Sequence, residues 1–146
     1  MMPRRPKDIG TDGERAVLGA VLPYWPTARR EVLHGHKDLG DIVGCGPVIF
    51  EVKAGKQTLQ VGDAQIEKWL AETEKERKQA GVRFGVLVTQ RAGFGFPRAD
   101  HWWAWLNVAA LADIMGAPGH ENPAPVRMEL RVLLDIFADQ GLTPDA

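Results

Sequence analysis

The residues best equipped for chemistry are Asp41, Glu51 and Lys53, set in Gly40-Asp41-Ile42-Val43 and Glu51-Val52-Lys53. Their neighbours Ile42, Val43, Ile49, Phe50 and Val52 are apolar, as befits strands inside a sheet. Cys45-Gly46-Pro47 between the two runs is a compact turn signal, so the spacing predicts a hairpin centred near Gly46. That register opposes positions 41 and 51 and puts their side chains on one face, with Cβ atoms about 4.5–5.5 Å apart. Lys53, two residues on, shares that face. Clustered carboxylates repel and call for a cation. A hard divalent ion such as Mg²⁺ accepts one or two carboxylates, carbonyl oxygen and waters. It polarises a phosphate oxygen and acidifies a bound water. Lys53 would orient that water or offset the charge growing on a phosphorane-like transition state. The bland alternative is a surface hairpin carrying a Glu–Lys pair and an unrelated aspartate. The matched register and the preceding Gly40 weigh against it.

These residues need elements to hold them. Thr11 or Asp12 can cap a helix that Pro23 and Pro26 end. Glu31–His34 reads as a short strand, Gly35–Gly40 as a turn, and 41–44 and 48–53 as the hairpin. Residues 58–80 follow helical spacing, with Leu59, Ala64, Ile66, Trp69 and Leu70 apolar and Glu72, Glu74, Lys75, Glu76, Arg77 and Lys78 solvated. Gly81 is the C-cap. Residues 83–89 suit a buried strand, 90–100 a loop, and 101–106 a further strand. A short helix over Val108–Met115, a Pro/Gly/Asn-rich linker at 116–125 and a helix at about 126–140 complete the chain. The order predicts one α/β domain, residues 1–146, with a central mixed β-sheet flanked by helices and a basic N-terminal arm at 1–8.

At 146 residues, 45% hydrophobic and 25% charged, the chain can bury a core and is too apolar to be disordered. A single cysteine, Cys45, excludes an internal disulfide. No apolar run approaches 18 residues, and no signal-type stretch follows the basic start, so no membrane association and a cytoplasmic location are expected. Residues 1–100 carry 16 Lys and Arg against 13 Asp and Glu, whereas residues 101–146 carry 2 against 6. With a net charge of −1, any site for nucleic acid must be a local patch.

Glu14, Gly40-Asp41-Ile42-Val43, Glu51-Val52-Lys53 and Gln65, in that order, resemble the motifs of the PD-(D/E)xK nuclease superfamily. Gly40-Asp41 stands where Pro-Asp is written. Gly10-x-x-Gly13-Glu14-Arg15-Ala16 and Trp69-Leu70-x-Glu72-x-Glu74-x-Glu76-Arg77 are similar to small actinobacteriophage Holliday-junction resolvases. The similarity covers about residues 7–90 and does not extend to the chain from about 91 onward. The resemblance implies a restriction-endonuclease-like fold and Mg²⁺-dependent hydrolysis of DNA phosphodiester bonds by metal-activated water, with Mn²⁺ able to substitute. It implies that Asp41, Glu51 and the Val52 carbonyl are metal ligands and that Lys53 is the catalytic ammonium. Glu14 would reach the metal directly or through water, and Gln65 would position the site or the scissile phosphate. The substrate would be branched DNA, a four-way junction, inside the bacterial host if the chain is phage-encoded. Two alternatives stand beside this expectation: another nuclease of the same fold (flap, nicking or exonucleolytic), and a non-catalytic DNA-binding protein.

Lys56 lies close enough to the site to favour a DNA contact. Arg4, Arg5, Lys7, Arg29 and Arg30 are either phosphate contacts or a solvated face. Arg91 and Arg98 flank Ala92-Gly93-Phe94-Gly95-Phe96-Pro97, a loop that either enters a groove or packs its phenylalanines. Asp38 has the wrong parity for the strand face and is the fallback if Asp41 is not the ligand. His34, His36 and Cys45 do not complete a tetrahedral zinc set. Trp103 and Trp105 share one strand face and Trp102 the other. Core plus a subunit interface is the preferred account over base stacking, and a homodimer would supply the two matched incisions a symmetric junction needs.

Overall fold

The computed structural model describes residues 5–31 and 39–144. Val32–His34 of the expected first strand, His36, Asp38 and Arg4 lie outside the described residues. The elements are α1 (Pro6–Val21), β1 (Arg29–Arg30), β2 (Ile42–Cys45), β3 (Val48–Lys53), α2 (Asp63–Ala80), β4 (Phe84–Thr89), β5 (Trp103–Asn107), α3 (Val108–Ile114), β6 (Pro125–Glu129) and α4 (Leu130–Asp139). Short 3₁₀ turns cover Lys56–Gln60 and Phe96–His101. Among the described residues six strands form one mixed sheet in chain order, β3 and β4 parallel and every other neighbouring pair antiparallel. A parallel pair needs a crossover, and α2 is that crossover. No helix among the described residues is long and apolar enough to cross a membrane.

Several boundaries differ from expectation. Helix α1 starts at Pro6, whose fixed φ and missing N–H suit the first helical position, so Arg5 and Lys7 belong to the helix start and not to a free arm. A strand pairs with β2 at Arg29–Arg30, just ahead of the span expected at 31–34, of which only Glu31 is described. Helix α2 starts at Asp63, because the chain makes a separate 3₁₀ turn at 56–60 first. Gly81 closes α2 in the left-handed conformation at φ 72°. The largest correction is at 125–129, expected to open a helix after a linker. It forms β6, pairing with all of β5 from Trp103↔Glu129 to Asn107↔Pro125.

The two sheet faces have different fates. Val48, Phe50, Val52, Val86, Val88, Ala104 and Leu106 alternate onto one face, which packs on Val17 and Val21 of α1, on Trp25 and on Leu130, Leu133, Leu134 and Phe137 of α4. Trp25 meets Phe50 and Phe137 edge-on at 6.1 and 5.6 Å between centroids. The other face carries Glu51, Lys53, Leu87, Thr89, Trp103 and Trp105, and α2 covers only its β3–β4 part. Two glycines set the helix distances. A Cβ on Gly13 would stand 2.6 Å from the Ala54 Cβ, and one on Gly85 would stand 3.1–3.3 Å from Thr73 and Arg77 of α2. Helix α1 therefore seats against the chain just past β3, and α2 sits low over β4.

Candidate active site

Asp41 is fixed by backbone before its side chain is considered. Its N–H donates to the Phe50 carbonyl (3.0 Å), and its own carbonyl accepts from the Glu31 N–H (2.9 Å). Its carboxylate then accepts from the Val52 N–H at 2.7 Å. The pairing Ile42↔Phe50 continues one step to place 41 beside 51, the register expected from the sequence. The turn itself is tighter than expected: Cys45 pairs Val48 across Gly46-Pro47, and an irregularity between Ile42 and Cys45 absorbs the difference.

The Glu51 carboxyl is buried at 6% exposure, next to the carboxylates of Asp41 and Glu76. Burial first, then contact with Asp41 and Glu76, drives its pKa far above the usual carboxylate range. Its Oε2 is buried with no hydrogen-bond partner among the described residues. Lys53 lies on the same face with its ammonium 5.5 Å from the centre of the Trp69 ring, and it forms no ion pair among the described residues. On the other side Glu14 of α1 meets Arg30 at 3.6 Å. Burial and the charge of Asp41 raise the Glu14 pKa, while Arg30 opposes the rise. Gln90 missed notice in the sequence because a lone glutamine after a strand carries no pattern. Its Oε1 accepts from the Gly55 N–H (2.9 Å) and its N–H donates to the Lys53 carbonyl (2.9 Å), which fixes the strand end.

Glu76 is a correction. It was expected on the solvated side of α2 but is buried at 8% exposure and faces Glu51. The helix phase explains it: Ile66, Trp69, Thr73 and Glu76 are spaced three, four and three apart and form the stripe turned to the sheet, whereas Leu59 and Ala64 are exposed. Gln65 is half-buried in the first turn of α2 and makes no side-chain hydrogen bond to Asp41, Glu51 or Lys53.

The arginines divide. Arg30 is drawn into the site by Glu14, and its Nε is buried without a partner among the described residues. Arg29 pairs with Glu31 at 3.8 Å, and Arg5 with Asp8 at 3.1 Å. Lys7 and Lys56 are exposed. Arg91 is spent on packing, since it binds the His101 carbonyl and Glu129 and stacks on Phe94 and Trp103. Arg98 is exposed and lies over Phe94.

Among the described residues, no set of three or more His, Cys, Asp or Glu side chains is arranged to hold a metal ion. The available donors are fewer and of another kind. Val52 directs its N–H to Asp41, and in a strand the carbonyl of the same residue points to that side too, past the start of β2. Two carboxylates and one carbonyl at the end of β3 fit a hard divalent ion that keeps waters in its remaining positions. The unpartnered Glu51 oxygen is the observation in favour of that fit. The chain matches no protein-family model, no curated protein and no solved structure.

Proposed function

We propose that the chain is a metal-dependent DNA endonuclease of restriction-endonuclease-like fold, and specifically a junction-resolving enzyme that works as a homodimer in the host cytoplasm. The observation that carries the reading is Asp41, clamped by the Val52 N–H against the buried Glu51 carboxyl at the end of β3. A surface hairpin gains nothing from burying one carboxyl against two others, because that group must either hold a proton or bear the desolvation and the repulsion of its neighbours. A site that receives a cation gains from both.

Asp41, Glu51 and the Val52 carbonyl would hold Mg²⁺, or Mn²⁺ in its place. When bound, the ion supplies Lewis-acid polarisation of a phosphodiester and a more acidic water. Lys53 lies on the same strand face and offers its ammonium to charge developing on the phosphate. Trp69 beside it limits the directions the ammonium can take. Glu14 is already engaged by Arg30, which suits a role through water better than direct ligation. The Arg30 Nε, a buried donor without a partner, suits a phosphate oxygen. Gln65 and Lys56 would be contacts to the strand being cut.

The test is cleavage of a labelled four-way junction beside linear duplex, flap and single strand, in Mg²⁺ and in EDTA, with Lys53→Ala alongside. Paired symmetric nicks on the junction alone, lost with EDTA and with the variant, establish the resolvase. Cleavage of all substrates keeps the chemistry and removes the junction preference. Binding without cleavage under Mg²⁺ or Mn²⁺ converts the protein into a DNA-binding module.

A further inference from the structure

The face that carries Glu51 and Lys53 does not end at α2. Cross-strand register continues it in two rows, Lys53↔Thr89↔Trp103↔Glu129 and Glu51↔Leu87↔Trp105↔Arg127. Two strand spacings separate Lys53 from Trp103, about 10 Å. Trp103 and Trp105 are each half-buried there, while Trp102 turns the other way into the core.

This surface is built and charged. The Trp105 indole N–H donates to the Thr89 hydroxyl at 2.9 Å, which locks the ring in place. The Arg127 guanidinium stands 4.1 Å from the centre of the Trp103 ring and 5.4 Å from that of Trp105. Arg127 is exposed and has no carboxylate partner among the described residues, and the same holds for Arg98, which stacks at 4.6 Å on Phe94, the ring that Arg91 joins to Trp103. Glu129, on the same strand as Arg127, is already taken by Arg91, His101 and Arg131 at 2.8–3.2 Å. Only two of the residues beyond 100 are Lys or Arg, and one of them is spent on this face without a counter-ion.

We infer that the β5–β6 face around Trp103, Trp105 and Arg127 is a docking surface for a nucleic-acid strand with unpaired bases that runs on to the carboxylate site. Stacked guanidiniums without carboxylate partners are oriented cations that lack an anion, and phosphate oxygens supply it. Fixed indoles beside them offer a flat surface on which any unpaired base can stack, independent of sequence. A second copy of this chain would bring the same uncompensated arginines against themselves, which disfavours self-association on this patch. The strand as occupant rests on the nuclease reading of the neighbouring site.

The experiment measures equilibrium binding of the full chain, in EDTA, to a fluorescein-labelled single-stranded oligothymidylate of about 20 nucleotides and to a blunt duplex. Arg127→Glu with Arg98→Glu should weaken single-strand binding at least about 5-fold and lower the salt slope by about one or two ions. Trp103→Leu should weaken single-strand binding about 5–100-fold and leave duplex binding within about 2-fold. The arginine pair is exposed, so its result stands even if the tryptophan variant folds poorly. Unchanged single-strand binding in the arginine variant, or a wild-type preference for duplex, overturns the inference. So does a sedimentation change from dimer to monomer in Trp103→Leu with single-strand affinity unaltered, which would make the face a self-interface. Because binding is read without metal, a junction assay that shows no cleavage leaves this surface standing. Cleavage that persists with binding indifferent to these variants removes the surface and leaves the nuclease.

Discussion

The two ends of one sheet face solve opposite electrostatic problems. At β2–β3 an acidic group is buried: the Glu51 carboxyl lies at 6% exposure beside Asp41 and Glu76, with an oxygen unpartnered among the described residues, and can ionise only against burial and those neighbours. At β5–β6 positive charge is exposed, with Arg127 held over two indoles and no carboxylate on it among the described residues. One end is short of a cation and the other of an anion. Ionising the buried Glu51 carboxyl costs free energy until a cation arrives, whereas the exposed Arg127 guanidinium is hydrated and rests on the indoles at little cost. Together they match a metal-assisted reaction on a polyanion, where the missing partners arrive with the ligand.

The comparison can be broken at β5, whose two faces differ in purpose. Trp102 is fully buried and donates to the Phe94 carbonyl at 2.8 Å, so Trp102→Ala should cost about 3–5 kcal/mol in denaturant titration. Trp103→Leu on the opposite face should cost far less. Equal losses would mean that Trp103 is core and has no surface role.

At the other end, Lys53→Ala should lower the cleavage rate about 10²–10³-fold, the range for losing one preorganised group at developing charge. Its DNA affinity should stay near wild type. A rate within a factor of a few would remove Lys53 from the chemistry. Gly13→Val should cost about 1–3 kcal/mol, because its side chain must displace Ala54 or lift α1. Thermal melts without metal check this, and an unchanged melting temperature would show that the contact yields freely.

The pH dependence follows from Glu51. Its folded pKa is raised above the ordinary 4.5 by burial and then by Asp41 and Glu76, so the folded chain binds that proton more tightly than the unfolded chain. The associated stability is complete below pH 4.5 and is lost as pH rises above it. Glu14, also raised, has the same sign, and Glu129, lowered by Arg131 and His101, acts only below its ordinary value. In EDTA the melting temperature should therefore fall between pH 5 and pH 8, about 2–4 °C for each kcal/mol lost. Mg²⁺ should restore it at pH 8, and Glu51→Gln should remove most of the slope and the Mg²⁺ response. A slope unchanged in that variant would place its origin elsewhere. The smallest effect belongs to Glu76→Gln, which removes one neighbouring charge and should make the EDTA slope shallower without abolishing it. An unchanged slope would separate Glu76 from Glu51.

Local chemistry was enough for much of this protein. The β3 strand, the Gly81 cap and α3 follow from alternation, a left-handed glycine and a helical start at Val108, all signals carried by adjacent residues. The opposition of Asp41 and Glu51 is legible in the spacing, but the turn alone does not set it: Cys45↔Val48 would oppose 41 to 52, and the irregularity between Ile42 and Cys45 brings 41 beside 51. Other features needed partners distant in the chain. Pro125–Glu129 is a strand because β5 offers it a complete ladder, and its own residues, run into the strongly periodic α4, read as more helix. Arg29–Arg30 is a strand because β2 lies beside it, and Glu76 is buried because Gly85 lets α2 settle onto β4. The continuation of the Glu51–Lys53 face into Trp105, Trp103 and Arg127 depends on three successive strand registers. Spacing along the chain sets one register at a time; only packing of the whole sheet aligns all three.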